Sequence, residues 1–148
     1  MRTLIVYHSS HHGNTKKLLD AIAAHNEVTL LPVGEAQGVD LSSYEGIGLA
    51  SGIYYGSLSK AVLQWAAQAP LQGKKLFFLY TCGMDRKKYI QEAEKIAKER
   101  GAQVLGHFGC RGYDTFGPFK LVGGIAKGRP NQADMDQAVA FYRELCQK

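Results

Sequence analysis

The segment Ser9-Ser10-His11-His12-Gly13-Asn14-Thr15 joins an apolar, β-branched run to a stretch with helical spacing. Hydroxyls, a turn glycine and a helix start are the makings of an anion site, because first-turn amides and the helix dipole both face the ligand. The same residues also make an ordinary capped helix start, with Asn14 or Ser10 as the cap, and the two readings carry equal weight. The loop is neither GxGxxG nor GxxxxGKS/T, which excludes a dinucleotide fingerprint and an NTPase phosphate loop. His11 and His12, with His8 nearby, invite a metal. Adjacent residues in a tight loop rarely point at one ion, however, and no HExxH or cysteine partner accompanies them.

Three further segments could carry chemistry. Ser51-Gly52-Ile53-Tyr54-Tyr55-Gly56-Ser57 sets two aromatics between glycines, a way to lay a ring against a planar ligand while leaving backbone amides and carbonyls accessible. The alternative is one tyrosine packed on a helix and one merely exposed. Thr81-Cys82-Gly83 offers a thiol. Phosphatase chemistry of the low-molecular-weight tyrosine phosphatase kind needs C-x5-R, usually after strand one, and here the nearest spacing is Cys82 to Arg86. A small buried thiol is the better reading. A receiver domain lacks its acidic pair after strand one. Residues 109–129 mix Tyr113, Phe116 and Phe119 with Arg111, Lys120, Lys127 and Arg129 among glycines, a stretch too long for a passive connection. It reads as a ligand-contacting lid or as a cover for the sheet edge.

The elements that must position these loops alternate strand and helix. Residues 3–7, 27–33, 46–51, 74–80 and 102–110 are expected strands, the first a continuous apolar run of the parallel, doubly covered kind. Pro32 marks a strand end or a sheet edge, and the small residues of 46–51 suggest close packing by a helix or a ligand. Helices are expected over 14–25, 57–68 and 85–100, the last closed by Gly101. A final helix is expected from Asn131, capped with Asp134 in its first turn and burying Met135, Val139, Tyr142 and Leu145. This pattern predicts an α/β fold in three layers, a doubly wound parallel sheet of five strands. Ligands of such sheets bind beyond the carboxyl ends of the strands, at the topological switch point.

At 148 residues the chain is expected to form one domain, 1–148, with a core large enough to fold without disulfide or metal. Hydrophobic residues make up 45% and charged residues 21%, which excludes disorder. No apolar run of ~18 residues is present to span a membrane. Cys82, Cys110 and Cys146 make neither an even disulfide set nor a CxxC pair. Unpaired thiols without an export signal point to the cytoplasm. The formal charge of +5 carries no nucleic-acid motif with it, so no nucleic-acid partner is expected.

The run from Leu4 through Ser10-x-x-Gly13-Asn14-Thr15 resembles the FMN phosphate loop of the flavodoxin family, which typically ends in Gly-Asn-Thr. Chain length, strand pattern and the tyrosine-bearing loop agree with that family over nearly the whole chain. Cys110-Arg111-Gly-x-Asp114-Thr115-x-Gly117-Pro118 and Gly-Gly-Ile-Ala-Lys-Gly-Arg-Pro at 123–130 resemble a subgroup of small bacterial members. The resemblance implies strand order 2-1-3-4-5 and noncovalent FMN. Ser10, His11, His12, Gly13, Asn14 and Thr15 would hold the phosphate. Ser51, Gly52, Ile53, Tyr54, Tyr55 and Gly56 would flank the isoalloxazine, and Thr81, Cys82 and Gly83 would meet its pyrimidine side. It further implies flavodoxin-like electron transfer with a redox donor or acceptor protein, or reduction of a small-molecule acceptor. A binding module without catalysis is the other class. Three departures stand out: histidines where flavodoxins often have threonines, no tyrosine close after Cys82, and a basic charge in a family of acidic carriers.

Overall fold

The computed structural model describes residues 1–9, 13–83, 87–112 and 128–148. Six strands form one sheet: β1 (Thr3–His8), β2 (Val28–Pro32), β3 (Gly46–Tyr54), β4 (Ser57–Leu58), β5 (Lys75–Cys82) and β6 (Gln103–Arg111). Five run parallel in the order β2-β1-β3-β5-β6, and the two-residue β4 pairs antiparallel with the end of β3. Leaving β4 aside, this is the expected 2-1-3-4-5 order, with the Pro32 strand at the edge. Four helices complete the described chain: α1 (Asn14–His25), α2 (Lys60–Gln68), α3 (Gln91–Glu99) and α4 (Gln132–Leu145).

The apolar runs work because both faces of the sheet are covered. Alternation sends Leu4, Val6, Leu76, Phe78, Tyr80 and Cys82 to one side, into a core shared with α2 and α3. Ile5, Phe77, Leu79 and Cys110 go to the other, against α1 and α4. The chain therefore leaves β1 towards one edge and β3 towards the other, and the switch point falls between those two strands. Gly46 and Gly48 of β3 serve this packing. A Cβ on Gly48 would stand 2.7 Å from the Phe77 ring, and one on Gly46 2.8 Å from the Met1 sulfur.

Local signals account for most element ends. Asn131 Oδ1 accepts from the Asp134 amide at 3.0 Å and Asp134 Oδ2 accepts from the Asn131 amide at 2.8 Å, a reciprocal capping box that starts α4. Gly101 closes α3 with φ 73°. Tyr89, Ile90, Ala93, Ile96 and Ala97 are all buried as the helical spacing requires, although Lys87–Ile90 is a 3-10 turn and α3 begins only at Gln91. The largest difference lies at residues 51–57. The expected loop is mostly strand: β3 continues to Tyr54, turns through Tyr55 and Gly56, and returns as β4, so α2 starts at Lys60 instead of Ser57. Tyr55 and Gly56 have φ of 51° and 81°. Two successive left-handed residues give a two-residue hairpin turn that matches strand twist.

Candidate functional site

The carboxyl ends of β1, β3, β5 and β6 gather at one end of the sheet. β1 delivers His8 and Ser9, and α1 departs from Gly13, whose φ of 65° and ψ of 26° place it in the left-handed region. Gly13 gives α1 no side-chain cap. Ser9 Oγ instead reaches across the turn to accept from the Lys16 amide at 3.1 Å. The first turn contains no acidic residue but holds Lys16 and Lys17. Asp20, one turn on, pairs with Lys16 and raises its pKa, chiefly through their hydrogen bond.

Thr15 and Thr81 bind the start of α1 to the end of β5. Their hydroxyls lie 2.8 Å apart and both residues are buried. Asn14 is buried beside them against Gly112, where a Cβ would fall 2.6 Å from Asn14 Nδ2. Only glycine permits that approach. The Gly112 amide donates to the Cys82 carbonyl at 2.8 Å, and Arg111 Nε donates to the Gly83 carbonyl at 2.8 Å. Three expected site segments, Gly13 to Thr15, Thr81 to Gly83 and the end of β3, thus converge around the switch point. Gly52 pairs in register with Thr81, and Ser51 with His8.

Side chains divide the expected residues further. Ser51 is fully buried, and its hydroxyl accepts from the Ser59 amide at 2.9 Å while donating to the Gly52 carbonyl at 2.6 Å. It builds the hairpin and faces no open space. Ile53 packs on the α2–α3 core. The Tyr54 hydroxyl lies over Gly52, and its ring meets His8 edge-on at 5.7 Å and 61°. Tyr55 stands 92% exposed at the hairpin tip, more than any other large hydrophobic side chain described. A bulky residue with positive φ is strained, and such strain collects at functional positions. Cys82 faces the α2–α3 core, so only its backbone borders the site. Ser10, His11 and His12 lie outside the described residues, as do Asp85 and the lid residues Tyr113, Phe116, Phe119, Lys120 and Lys127.

Below the hairpin a groove of about 1260 Å³ opens between α2 and α3. Leu58, Leu63 and Ile96 line it, and Lys60 and Lys88 stand towards its hairpin end. The Ser57 hydroxyl at its head is buried and has no hydrogen-bond partner among the described residues. His8, Ser9, Arg111 and Gly112 are site neighbours that the sequence reading did not place among the ligand-holding residues, although Ser9 lay within the first loop and Arg111 and Gly112 within the 109–129 segment. Gly112 had a signal in the chain, a glycine two residues beyond the expected end of the fifth strand. Among the described residues no group of three or more His, Cys, Asp or Glu could hold a metal.

Taken together, the end of the sheet offers a helix start with cations and no carboxylate, a bridge of buried hydroxyls, and aromatic rings on a rigid hairpin. That set suits a phosphorylated ligand with a planar ring. The flavodoxin-domain family profile matches residues 5–115. An uncharacterized protein of Methanocaldococcus jannaschii is 33% identical over 147 residues, covering 98% of each chain. Among solved structures, flavodoxin 2 of Bacillus cereus superposes with a TM-score of 0.72 at 21% identity, covering 99% of each chain. A Fusobacterium nucleatum flavodoxin bound to flavin mononucleotide superposes with a TM-score of 0.67 at 14% identity, covering 99% of this chain and 98% of that one. With three quarters of its length matched by the profile and its fold shared with these structures, the chain belongs to the flavodoxin family.

Proposed function

We propose that the chain, as a single domain, binds FMN noncovalently at the switch point and acts as a flavodoxin-type electron carrier. The observation that carries this reading is the start of α1. Cations in a first turn oppose the helix macrodipole, and a phosphate placed there would offset both the dipole and the lysines. Ser10 to Thr15 would hold the phosphate, with Thr15 fixed by its bond to Thr81. The hairpin side, Ser51 to Gly56, would flank the ring mainly through backbone and through Tyr54 and Tyr55, because Ser51 is already engaged. The backbone of Thr81 to Gly83 would border the pyrimidine edge, locked in place by Arg111 and Gly112. Bound FMN supplies one- and two-electron chemistry, and the protein orients it and limits its exposure to water.

Reconstitution tests the reading. Mass spectrometry of ligand released from the yellow protein should give FMN. Mainly FAD, or no flavin at saturating FMN, overturns the assignment. Thr15→Ala should weaken FMN binding by about 1.5–3 kcal/mol, roughly 10- to 150-fold, as expected for a lost hydrogen bond to a charged group. Fluorescence titration checks this, and unchanged affinity places the phosphate elsewhere.

The redox chemistry is assigned to the flavin alone. Cys82 pairs in register with Arg111 and Cys110 with Thr81, so the two thiols are one position out of step and point to opposite faces of the sheet. A disulfide between them would require taking β5 and β6 apart. The double variant Cys82→Ser, Cys110→Ser is expected to keep the rates of flavin reduction and reoxidation close to the parent. Stopped-flow absorbance reads them, and a collapse with FMN still bound gives the thiols a part.

A further inference from the structure

The hydroxyls of Thr15 and Thr81 stand where packing alone calls for apolar side chains. The inward face of α1 runs Thr15, Leu18, Leu19, Ile22, the i, i+3, i+4, i+7 spacing of a buried stripe. On β5 alternate residues enter the α1–α4 core, and Phe77 and Leu79 are followed in that column by Thr81. Thr15 is 1% exposed and Thr81 4%, and their oxygens meet at 2.8 Å between helix and strand. Valine has the shape of threonine and would fill either position without burying a polar atom. The hydroxyls need another reason.

Their hydrogens do not balance. A hydroxyl carries a single hydrogen, so the pair has one for the bond between them and one to spare. Neither oxygen has a further hydrogen-bond partner among the described residues. The spare hydrogen is left without a described acceptor between buried side chains, where an unmade bond is costly. Either threonine can be the donor within the pair. An acceptor at the start of α1 would decide between them. It would take the hydrogen of Thr15, the member on the helix, and leave Thr81 to donate to the Thr15 oxygen. A charged acceptor strengthens the near bond, and the near bond polarises the one behind it.

We propose that Thr81 is a positioning residue for a phosphate monoester: it donates to Thr15 Oγ1, which in turn donates to a phosphate oxygen. The proposal rests on the flavin reading above and deepens it, because it gives the end of β5 a part in recognising the phosphate as well as the ring. The pair holds an idle hydrogen when the ligand lacks a phosphate and none when the ligand has one. The site therefore selects the phosphorylated flavin through a residue that does not touch the phosphate.

Two measurements on the full chain test this. The first compares thermal melting of the parent and of the double variant Thr15→Val, Thr81→Val, without flavin and with saturating FMN. Without flavin the variant should melt no lower than the parent, since the valines remove the idle hydrogen. With FMN it should gain much less from the ligand. A pair that only ties α1 to β5 would lower the flavin-free melt, and that result, or an equal gain from FMN, overturns the proposal. The second is fluorescence titration with FMN and with riboflavin, which lacks the phosphate. Thr81→Val should loosen FMN about fivefold and change riboflavin by less than about twofold. Thr81→Ser, which keeps the hydroxyl, should hold FMN near the parent. In a Thr15→Val background Thr81→Val should add nothing, because the chain of hydroxyls is already broken. Equal loosening of both flavins would put the Thr81 hydroxyl at the ring, and additive loosening of FMN would make the two hydroxyls independent. Either overturns the proposal, as does an unchanged FMN affinity in Thr81→Val. A parent that binds no FMN removes the flavin reading together with it, whereas a parent that binds FMN beside unresponsive variants removes the part of Thr81 alone.

Discussion

Phe77→Ala should lower stability by about 3–5 kcal/mol, the range for truncating a buried phenylalanine. Phe77 is fully buried at the centre of β5. Its ring lies 5.9 Å from that of Tyr142 and 6.4 Å from that of Phe141, both on α4. It also fills the space above Gly48. Because that neighbour has no side chain, nothing can relax into the void, which places the cost towards the upper end. Against a typical total of about 5–15 kcal/mol, a third or more of the stability is at stake. Urea unfolding should show a lower midpoint with an unchanged slope. A second substitution checks the cause. Gly48→Ala alone should destabilise, since its methyl meets the Phe77 ring at 2.7 Å. In the Phe77→Ala background the same methyl enters the cavity and should restore part of the loss. Simple additivity of the two changes would contradict this packing.

Asp134→Ala should cost about 2–4 kcal/mol, combining a lost cap of about 1 with broken charge-assisted bonds of about 1.5–3. Asp134 is buried, caps α4 through Asn131, and holds Arg129 by both nitrogens, Nε and Nη2, at 2.6 Å. Arg129 is partly exposed and rehydrates, which limits the penalty. The hydrogen bonds from Arg129 hold the Asp134 carboxyl below its ordinary pKa. A depressed folded value means that the contribution is complete above the unfolded pKa, near 3.9, and is lost as the pH falls through the lower folded value. The parent should therefore lose stability below about pH 4, and the variant should show a shallower acid limb in denaturation followed by circular dichroism. Identical limbs would place the acid sensitivity elsewhere.

Much of the fold was legible because its signals are local. The runs at 3–7 and 74–80 are apolar without alternation, which only a doubly covered strand requires, and Asn131 with Asp134 at cap spacing starts a helix without help from elsewhere in the chain. The features that were not legible depend on partners distant in sequence. The hairpin at Tyr55-Gly56 lacks the usual Asn-Gly, and a tyrosine in the left-handed region is favoured only once Ser51 has tied the Gly52 carbonyl to the start of α2. Gly46 and Gly48 of β3 read equally well as ligand contacts until Met1 and Phe77 are placed over them. Within the candidate site, the first loop and the ends of the third and fourth long strands were picked out by residue types, topology and the family resemblance together, and the structure brings them to one end of the sheet. Asn14 and Gly112 were not seen as a pair because almost a hundred residues separate them. The opposite facing of Cys82 and Cys110 needed the β5–β6 register, which shifts at Leu76/Phe77.

With those two thiols buried on opposite faces, Cys146 is the remaining cysteine, and it is exposed. It caps the carboxyl end of α4. That helix starts beside the candidate site and runs back to where Tyr142 hydrogen-bonds Thr3, at the beginning of β1. A maleimide or gold surface would therefore hold the folded protein by one point at the pole away from the hairpin and its lysines. Every molecule on such an electrode would present the same face to solution, and the orientation would come from the native chain without an engineered tether.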